Sequence, residues 1–255
     1  MRMFKHLSQW ITGGGKDDAV RHQGLYLPRF RTNQDLSNND RYVQSAVEQV
    51  QQLRDHCGLH DQSRLLDFGC GQGRLAIGLQ HLGYPFKSYV GVDTDARSVS
   101  WCRKWLSDDE GRFTFIHLAA HNARYNPQAA SLQPLPFPAA SFDLAFLNSV
   151  FSHMIPEDVR FYLAELHRVL DDDGVIYLTA FIEENVPDHE ENPDNYLGKS
   201  RGPLHRVRYA RSFFDQMIQE AGLATRMFLH HGVARTGQSI VIVSKNSVSA
   251  HGAPN

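Results

Sequence analysis

Leu65-Leu66-Asp67-Phe68-Gly69-Cys70-Gly71-Gln72-Gly73 is an apolar run that ends in an acid and passes into glycines at alternate positions. A run this short and this apolar reads as a buried strand. Glycine reaches positive φ and lets a ligand approach where a Cβ would collide. Leu75, Ile77, Leu79 and Leu82 then fit a helix over 72–82. The junction is therefore strand, tight turn, helix, with unpaired helix N–H groups facing whatever the turn holds. A G-x-G-x-x-G dinucleotide fingerprint counted from Gly69 needs a third glycine at 74, where Arg74 stands.

The same strand-then-helix unit recurs along the chain. Strands are expected at 64–68, 89–93, 113–118, 142–147 and 174–181, with helices at 96–107 and 157–170. Before them, Tyr42, Val43, Ala46, Val47, Val50 and Leu53 mark an amphipathic helix that ends near Gly58, capped by Asn38 or Asn39. Ser212 precedes a helix to about Ala221 with Gly222 as its stop, and strands at 224–231 and 239–245 join at Arg235-Thr236-Gly237. These elements predict an α/β fold, a doubly wound, seven-stranded, mostly parallel sheet with an antiparallel C-terminal hairpin. Residues 16–37 read as irregular with room for a short helix, and 183–209 shows no clear periodicity. In open α/β sheets the ligand lies beyond the carboxyl ends of the strands.

Lys+Arg 26 against Asp+Glu 28 gives a net charge of −2, which argues against a general nucleic-acid binder. The three cysteines, Cys57, Cys70 and Cys102, have no CxxC or finger spacing, so a disulfide scaffold and a structural zinc site are not expected, and a reducing, cytoplasmic setting is. No apolar run approaches the ~18 residues of a transmembrane helix. The N-terminal stretch has Phe4, Leu7 and Ile11 on one helical face but no secretory signal. It reads as a short helix packed on the domain, or as a membrane-surface helix.

Four segments together resemble the class I S-adenosylmethionine-dependent methyltransferases: 67–76 with the glycines, Gly91-Val92-Asp93-Thr94-Asp95, the stretch 135–154, and 165–181 with its Asp-Gly turn at 173–174. The resemblance implies S-adenosylmethionine as cofactor. Carried over by position, Asp67 faces the methionine amino group, and Gly69 and Gly71 pass under methionine and ribose. Asp93 holds the ribose, Thr94 lies against adenine, and the backbone at Leu147 and Asn148 touches the methionine end. Cys70, Gly73 and Arg74 complete the loop. Similar enzymes often carry an acid at the end of the third strand, where this chain has Ala119 and Ala120. Either a backbone N–H at Ala120 reads the adenine, or His121 or Asn122 supplies a side chain. On this reading 1–57 is an N-terminal helical extension covering the cleft. Residues 58–245 are the methyltransferase domain with an acceptor-side insertion at about 182–211, and 246–255 is a disordered tail.

A hydroxyl acceptor must lose a proton, and His153, five residues after Asn148, is the candidate base, with a histidine that merely fixes the loop as the alternative. Lys199, Arg201, His205, Arg206, Arg208 and Arg211 form a run without an acid, which fits an anionic acceptor or a solvated basic face. Arg206 and Arg208, two apart on an extended segment, would point the same way as a clamp, with His205 beside them. Glu183-Glu184 and His189-Glu190-Glu191 read as a solvated acidic loop or, with a partner, a metal site. His230 and His231, adjacent on a strand, should face opposite ways and are not a ligand pair. No metal is expected. The resulting expectation is methyl transfer to oxygen or nitrogen of a small-molecule or sugar-like acceptor, with no nucleic-acid partner and with a homodimer left open. The alternatives are a non-catalytic cofactor-binding protein and an NAD-dependent oxidoreductase.

Overall fold

The computed structural model describes residues 18–31 and 37–246. The expected helix around Phe4, Leu7 and Ile11, and the tail beyond 246, lie outside the described residues.

The sheet is built on β3 (Arg64–Phe68), whose neighbouring residues feed opposite layers. Leu65 packs with the helices on one face and Leu66 with those on the other, and both are fully buried. This alternation of apolar side chains is what a parallel strand covered on both faces requires. Beside it lie β4 (Ser88–Asp93), β5 (Phe113–His117), β6 (Phe142–Leu147), β7 (Leu170–Glu183), β10 (Leu223–Val233) and β11 (Gln238–Lys245). The order across the sheet is β10-β11-β7-β6-β3-β4-β5. Strands β3 to β7 pair in parallel, and β11 runs antiparallel to both β7 and β10. The doubly wound sheet and its C-terminal hairpin are as the sequence predicts.

Helices α1 (Asn39–Cys57), α2 (Arg74–Leu82) and α3 (Ala96–Trp105) cover one face, while α4 (Pro156–Val169) and α5 (Arg211–Glu220) cover the other. Asn38 caps α1 by accepting from Arg41 N at 3.1 Å, and the chain leaves α1 through Gly58 at φ 68°. Helices α1 and α2 approach so closely that a Cβ on Gly78 would stand 2.3 Å from the Ala46 carbonyl oxygen.

Two segments differ from the sequence reading. Residues 16–37 were expected to be irregular or helical, yet β1 (Ala19–His22) and β2 (Leu25–Pro28) form a hairpin. Its turn, Gln23-Gly24, has φ 51° and 80°, the backbone of a tight hairpin turn. Leu27 is fully buried, Tyr26 lies against Trp105 at 4.5 Å, and Trp101 Nε1 donates to the Asp18 carbonyl at 3.0 Å. Of the expected helical extension, the described part that is helical is α1. The aperiodic stretch after β7 contains β8 (His189–Glu191) and β9 (Val207–Ala210). β9 pairs in parallel with the end of β7, Phe181 opposite Arg208, and so builds a wall above the carboxyl ends of the strands.

Candidate functional site

The turn after β3 is held by its own backbone. Gly69 N and Cys70 N both donate to the Val92 carbonyl, at 2.8 and 3.1 Å, and Gly73 N donates to Cys70 O at 2.9 Å. Asp93, at the end of β4, accepts from Gly71 N at 2.7 Å and from Asp95 N at 2.8 Å, so one carboxylate ties the two adjacent strand ends together. The three glycines have separate causes. A Cβ on Gly69 would stand 2.4 Å from Val150 Cγ2, and one on Gly73 would stand 2.3 Å from Leu106 Cδ1. Gly71, at φ 52°, has nothing within 4 Å in that direction. Its missing side chain opens into a cavity of about 960 Å³ at the carboxyl ends of the strands.

Asp67 and Arg74 line the same cavity. Asp67 is 3% exposed and accepts from Tyr89 OH at 2.5 Å. Burial pushes its carboxyl up to about 7, so bringing an ammonium group next to it would favour its ionised form. Burial lowers the pKa of Arg74, which neighbours Arg235 and makes no hydrogen bond or ion pair with any described residue. A deep acid and an unpaired guanidinium complement the two charged ends of an α-amino acid. Burial also raises Asp93, against the pull of its backbone donors.

Of the residues expected at the cofactor, Asp67, Gly69, Cys70, Gly71, Arg74, Asp93, Thr94 and Asn148 line the cavity. Gly73 packs behind the loop instead, against Leu106. Ala120 is fully buried among the apolar side chains below, and it is His121 and Asn122 that reach the cavity wall.

The other end is built by the turn Phe151–His153 and the segment between β8 and β9. His153 Nδ1 lies 2.9 Å from the Leu204 carbonyl oxygen. A carbonyl only accepts, so Nδ1 carries the hydrogen and Nε2 is left as an acceptor. Nε2 stands 3.5 Å from Ser149 Oγ, and Tyr125 meets the ring edge-on at 5.6 Å. Burial pushes the imidazole down to about 4, so it is neutral near pH 7. Ser149 was not legible in the sequence. It sits in the left-handed region at φ 63°, donates its N–H to Thr179 Oγ1 at 2.8 Å, and accepts from Gln238 Nε2 at 2.8 Å. A non-glycine residue held there marks a position the surroundings over-determine.

The basic run is only partly at the site. Lys199, Arg201, His205 and Arg206 line the cavity. Arg206 Nη1 donates to Gly198 O at 3.1 Å, and burial followed by the neighbouring Arg124 and Arg201 lowers its pKa. Arg208 is not its partner in a clamp: it pairs with Glu190 and lies over Tyr196 at 4.8 Å. The strand begins at Val207, so Arg206 stands before the alternation that would have aligned the two. A further arginine at this end of the cavity is Arg124, which the sequence did not single out. Its Nη1 donates to Arg201 O at 2.9 Å and its buried Nε has no partner. Among the described residues lining the cavity, the acids are Asp67, Asp93 and Asp95, all at the glycine-loop end.

His230 and His231 do not face opposite ways. Both Nε2 atoms lie 2.8 Å from Glu183, one on each carboxylate oxygen. The pairing of β10 with β11 slips between Leu229 and Val233, and His231 takes φ 50°, which turns its ring to the side of its neighbour.

Residues 66–178 match the family model described as Methyltransferase domain, and the strand order and glycine loop are those of its class I fold. The chain has the class I, Rossmann-like methyltransferase fold. The chain is 28% identical over 130 residues to a ubiquinone/menaquinone biosynthesis C-methyltransferase of Citrifermentans bemidjiense, covering 51% of this chain and 50% of that one. It is 25% identical over 179 residues to a tRNA N(3)-cytidine methyltransferase of Gallus gallus, covering 68% and 46%. The chain spans about half the length of these curated relatives. In fold, it superposes on the Burkholderia thailandensis 1,6-didemethyltoxoflavin-N1-methyltransferase with a TM-score of 0.53 at 18% identity, covering 82% of this chain and 80% of that one. A methyltransferase of Methanosarcina mazei gives 0.54 at 18% identity, covering 75% and 96%. Among the described residues, no helix is long and apolar enough to cross a membrane.

Proposed function

We propose that this protein transfers a methyl group from S-adenosylmethionine to an oxygen or nitrogen of a small, anionic acceptor. The observation that carries the reading is His153: its Nδ1–H is fixed on Leu204 O, and its neutral Nε2 is free at the cationic end of the cavity.

The residues present fit the cofactor. Asp67 and Arg74 match the ammonium and carboxylate of its methionine part, Asp93 matches ribose hydroxyls, and the space beside Gly71 admits a close approach. Bound there, S-adenosylmethionine supplies an electrophilic methyl group. The chain's own part is positioning and proton removal. Arg124 and Arg206 grip the acceptor's anionic group, which a guanidinium can meet with two parallel bonds. His153 Nε2 accepts the acceptor's proton, a role typically contributing ~10²–10⁴-fold. The Leu204 carbonyl stabilises the imidazolium that forms, as it already holds Nδ1–H. Ser149, fixed by Gln238 and Thr179, can turn its hydroxyl hydrogen to Ser152 Oγ at 2.9 Å, which leaves Nε2, 3.5 Å away, to the acceptor.

The tRNA methyltransferase among the relatives raises a polynucleotide phosphate as the anion. The cations here converge inside a cavity and the chain's net charge is −2, both of which favour a small acceptor. The free thiols of Cys57, Cys70 and Cys102 suit the cytoplasm we propose for it. The test is release of S-adenosylhomocysteine from a panel of phosphorylated and carboxylated small molecules, their neutral analogues, and tRNA. Turnover confined to the small anions is expected, with an acid limb near pH 4 to 5 rather than 6.5. Turnover of neutral compounds or of tRNA alone would overturn the reading.

A further inference from the structure

The cluster on Glu183 lies outside the cavity and has no part in the chemistry above. Three features of the geometry converge on it. The ladder slip and the left-handed backbone at His231 bring two successive imidazoles to one side of the strand, their rings stacked at 3.8 Å between centroids. Glu183 is the last residue of β7, and its carboxylate is oriented by Tyr196 OH at 2.8 Å. One nitrogen from each histidine and one carboxylate oxygen all lie within 4.8 Å of one another.

We propose that Glu183, His230 and His231 bind a divalent transition-metal ion, zinc being the best fit. Two imidazoles and a carboxylate are the donors such borderline ions take, whereas Mg²⁺ and Ca²⁺ prefer oxygen throughout. Zinc bonds of about 2.0–2.2 Å set tetrahedral donors about 3.3–3.6 Å apart, so the N···O contacts now at 2.8 Å would open by roughly half an ångström, within reach of side-chain rotation. Each Nε2–H that now meets the carboxylate would pass its proton to solvent while Nδ1 takes one up, so both rings stay neutral and offer Nε2 to the ion. The histidine side chains are 48% and 50% exposed and Glu183 is 16%, so the ion has an open approach on the imidazole side, and water can fill its remaining positions. Tyr196 would become the group that orients a metal-bound carboxylate.

The ion would join β7, β10 and, through Tyr196, the 184–206 segment. Leu197, next to Tyr196, packs beside Gly237, and both line the cavity. Metal binding would therefore brace the acceptor wall without entering it.

The test uses the tag-free full chain with Co²⁺ as a spectroscopic probe and Zn²⁺ in competition with a chromophoric chelator. One ion per chain is expected, with a dissociation constant in the micromolar range or tighter. His230→Asn, His231→Asn and Glu183→Gln should each weaken it at least tenfold. Asparagine is chosen at 231 because it tolerates the left-handed backbone. His189→Asn, in β8, should leave affinity unchanged. Paramagnetic broadening by Co²⁺ in NMR spectra of the unaltered chain gives a second readout, expected around residues 182–184 and 229–232. Absence of a bound ion, affinity in the three variants equal to that of the unaltered chain, or broadening centred elsewhere would mean that the histidines serve only as hydrogen-bond donors to Glu183.

Discussion

Replacing His153 with asparagine should change how stability depends on pH. Burial holds the folded imidazole at about 4, while an unfolded histidine titrates near about 6.5. A base depressed by folding adds stability that is complete above the unfolded value and is lost as pH falls toward the folded one. Between pH 7.5 and 5 that loss is about 1.5 units, or ~2 kcal/mol. Asp67 acts with the opposite sign. Its carboxyl is raised to about 7 by burial, so its contribution is complete below the unfolded value near 3.8 and is lost as pH rises through about 7. The two slopes oppose one another in the unaltered chain, and the informative quantity is the gap between it and the variant. At pH 7.5, His153→Asn should be less stable by ~1–3 kcal/mol, for the bond to Leu204 O and the packing it loses. At pH 5 the gap should shrink by ~2 kcal/mol. Urea unfolding followed by circular dichroism at the two pH values reads both numbers. A gap that stays the same would refute a buried neutral histidine and with it the base assigned to Nε2.

Asp67→Asn removes the opposite slope. The variant should gain stability relative to the unaltered chain on going from pH 5 to 8, while its affinity for S-adenosylmethionine falls tenfold or more; titration calorimetry and unfolding curves check the two halves. Arg124→Ala and Arg206→Ala should each raise the acceptor KM by roughly tenfold or more, whereas Arg208→Ala, whose partner is Glu190, should leave it alone. Steady-state kinetics on the acceptor decides between the two arginine pairs. Gly73→Ala should lower the melting temperature, because its Cβ would strike Leu106 rather than a ligand.

What the sequence made legible were features with a period or a fixed spacing. Leu65 and Leu66 had to face opposite layers, and the glycines after them had to turn the chain at a ligand. The acid at Asp93 and the stop at Gly222, with φ 74°, follow the same local rules. The hairpin at Ala19–Pro28 was missed because its strands are short and its turn places Gln23, a residue with no special liking for positive φ, in the left-handed region. Arg124 was missed because it reaches the cavity from a loop 82 residues away in sequence from Arg206, and no local pattern links them. His153 was found by its position after β6, but its proton state depends on Leu204 O, which tertiary structure alone supplies. The two histidines of β10 were misplaced for a simple reason: alternation holds only while the ladder keeps register, and the slip between Leu229 and Val233 breaks it.

The cavity beside Gly71 is where we propose that S-adenosylmethionine binds. Calorimetric titration of S-adenosylhomocysteine and of NAD into the unaltered chain and into Gly71→Val tests it most directly. One site per chain is expected for S-adenosylhomocysteine, no heat with NAD, and loss of binding by tenfold or more in Gly71→Val, whose side chain would project into open cavity; the backbone strain at φ 52° is read separately from its unfolding curve. Binding of NAD in its place, or equal affinity in both chains, would contradict it.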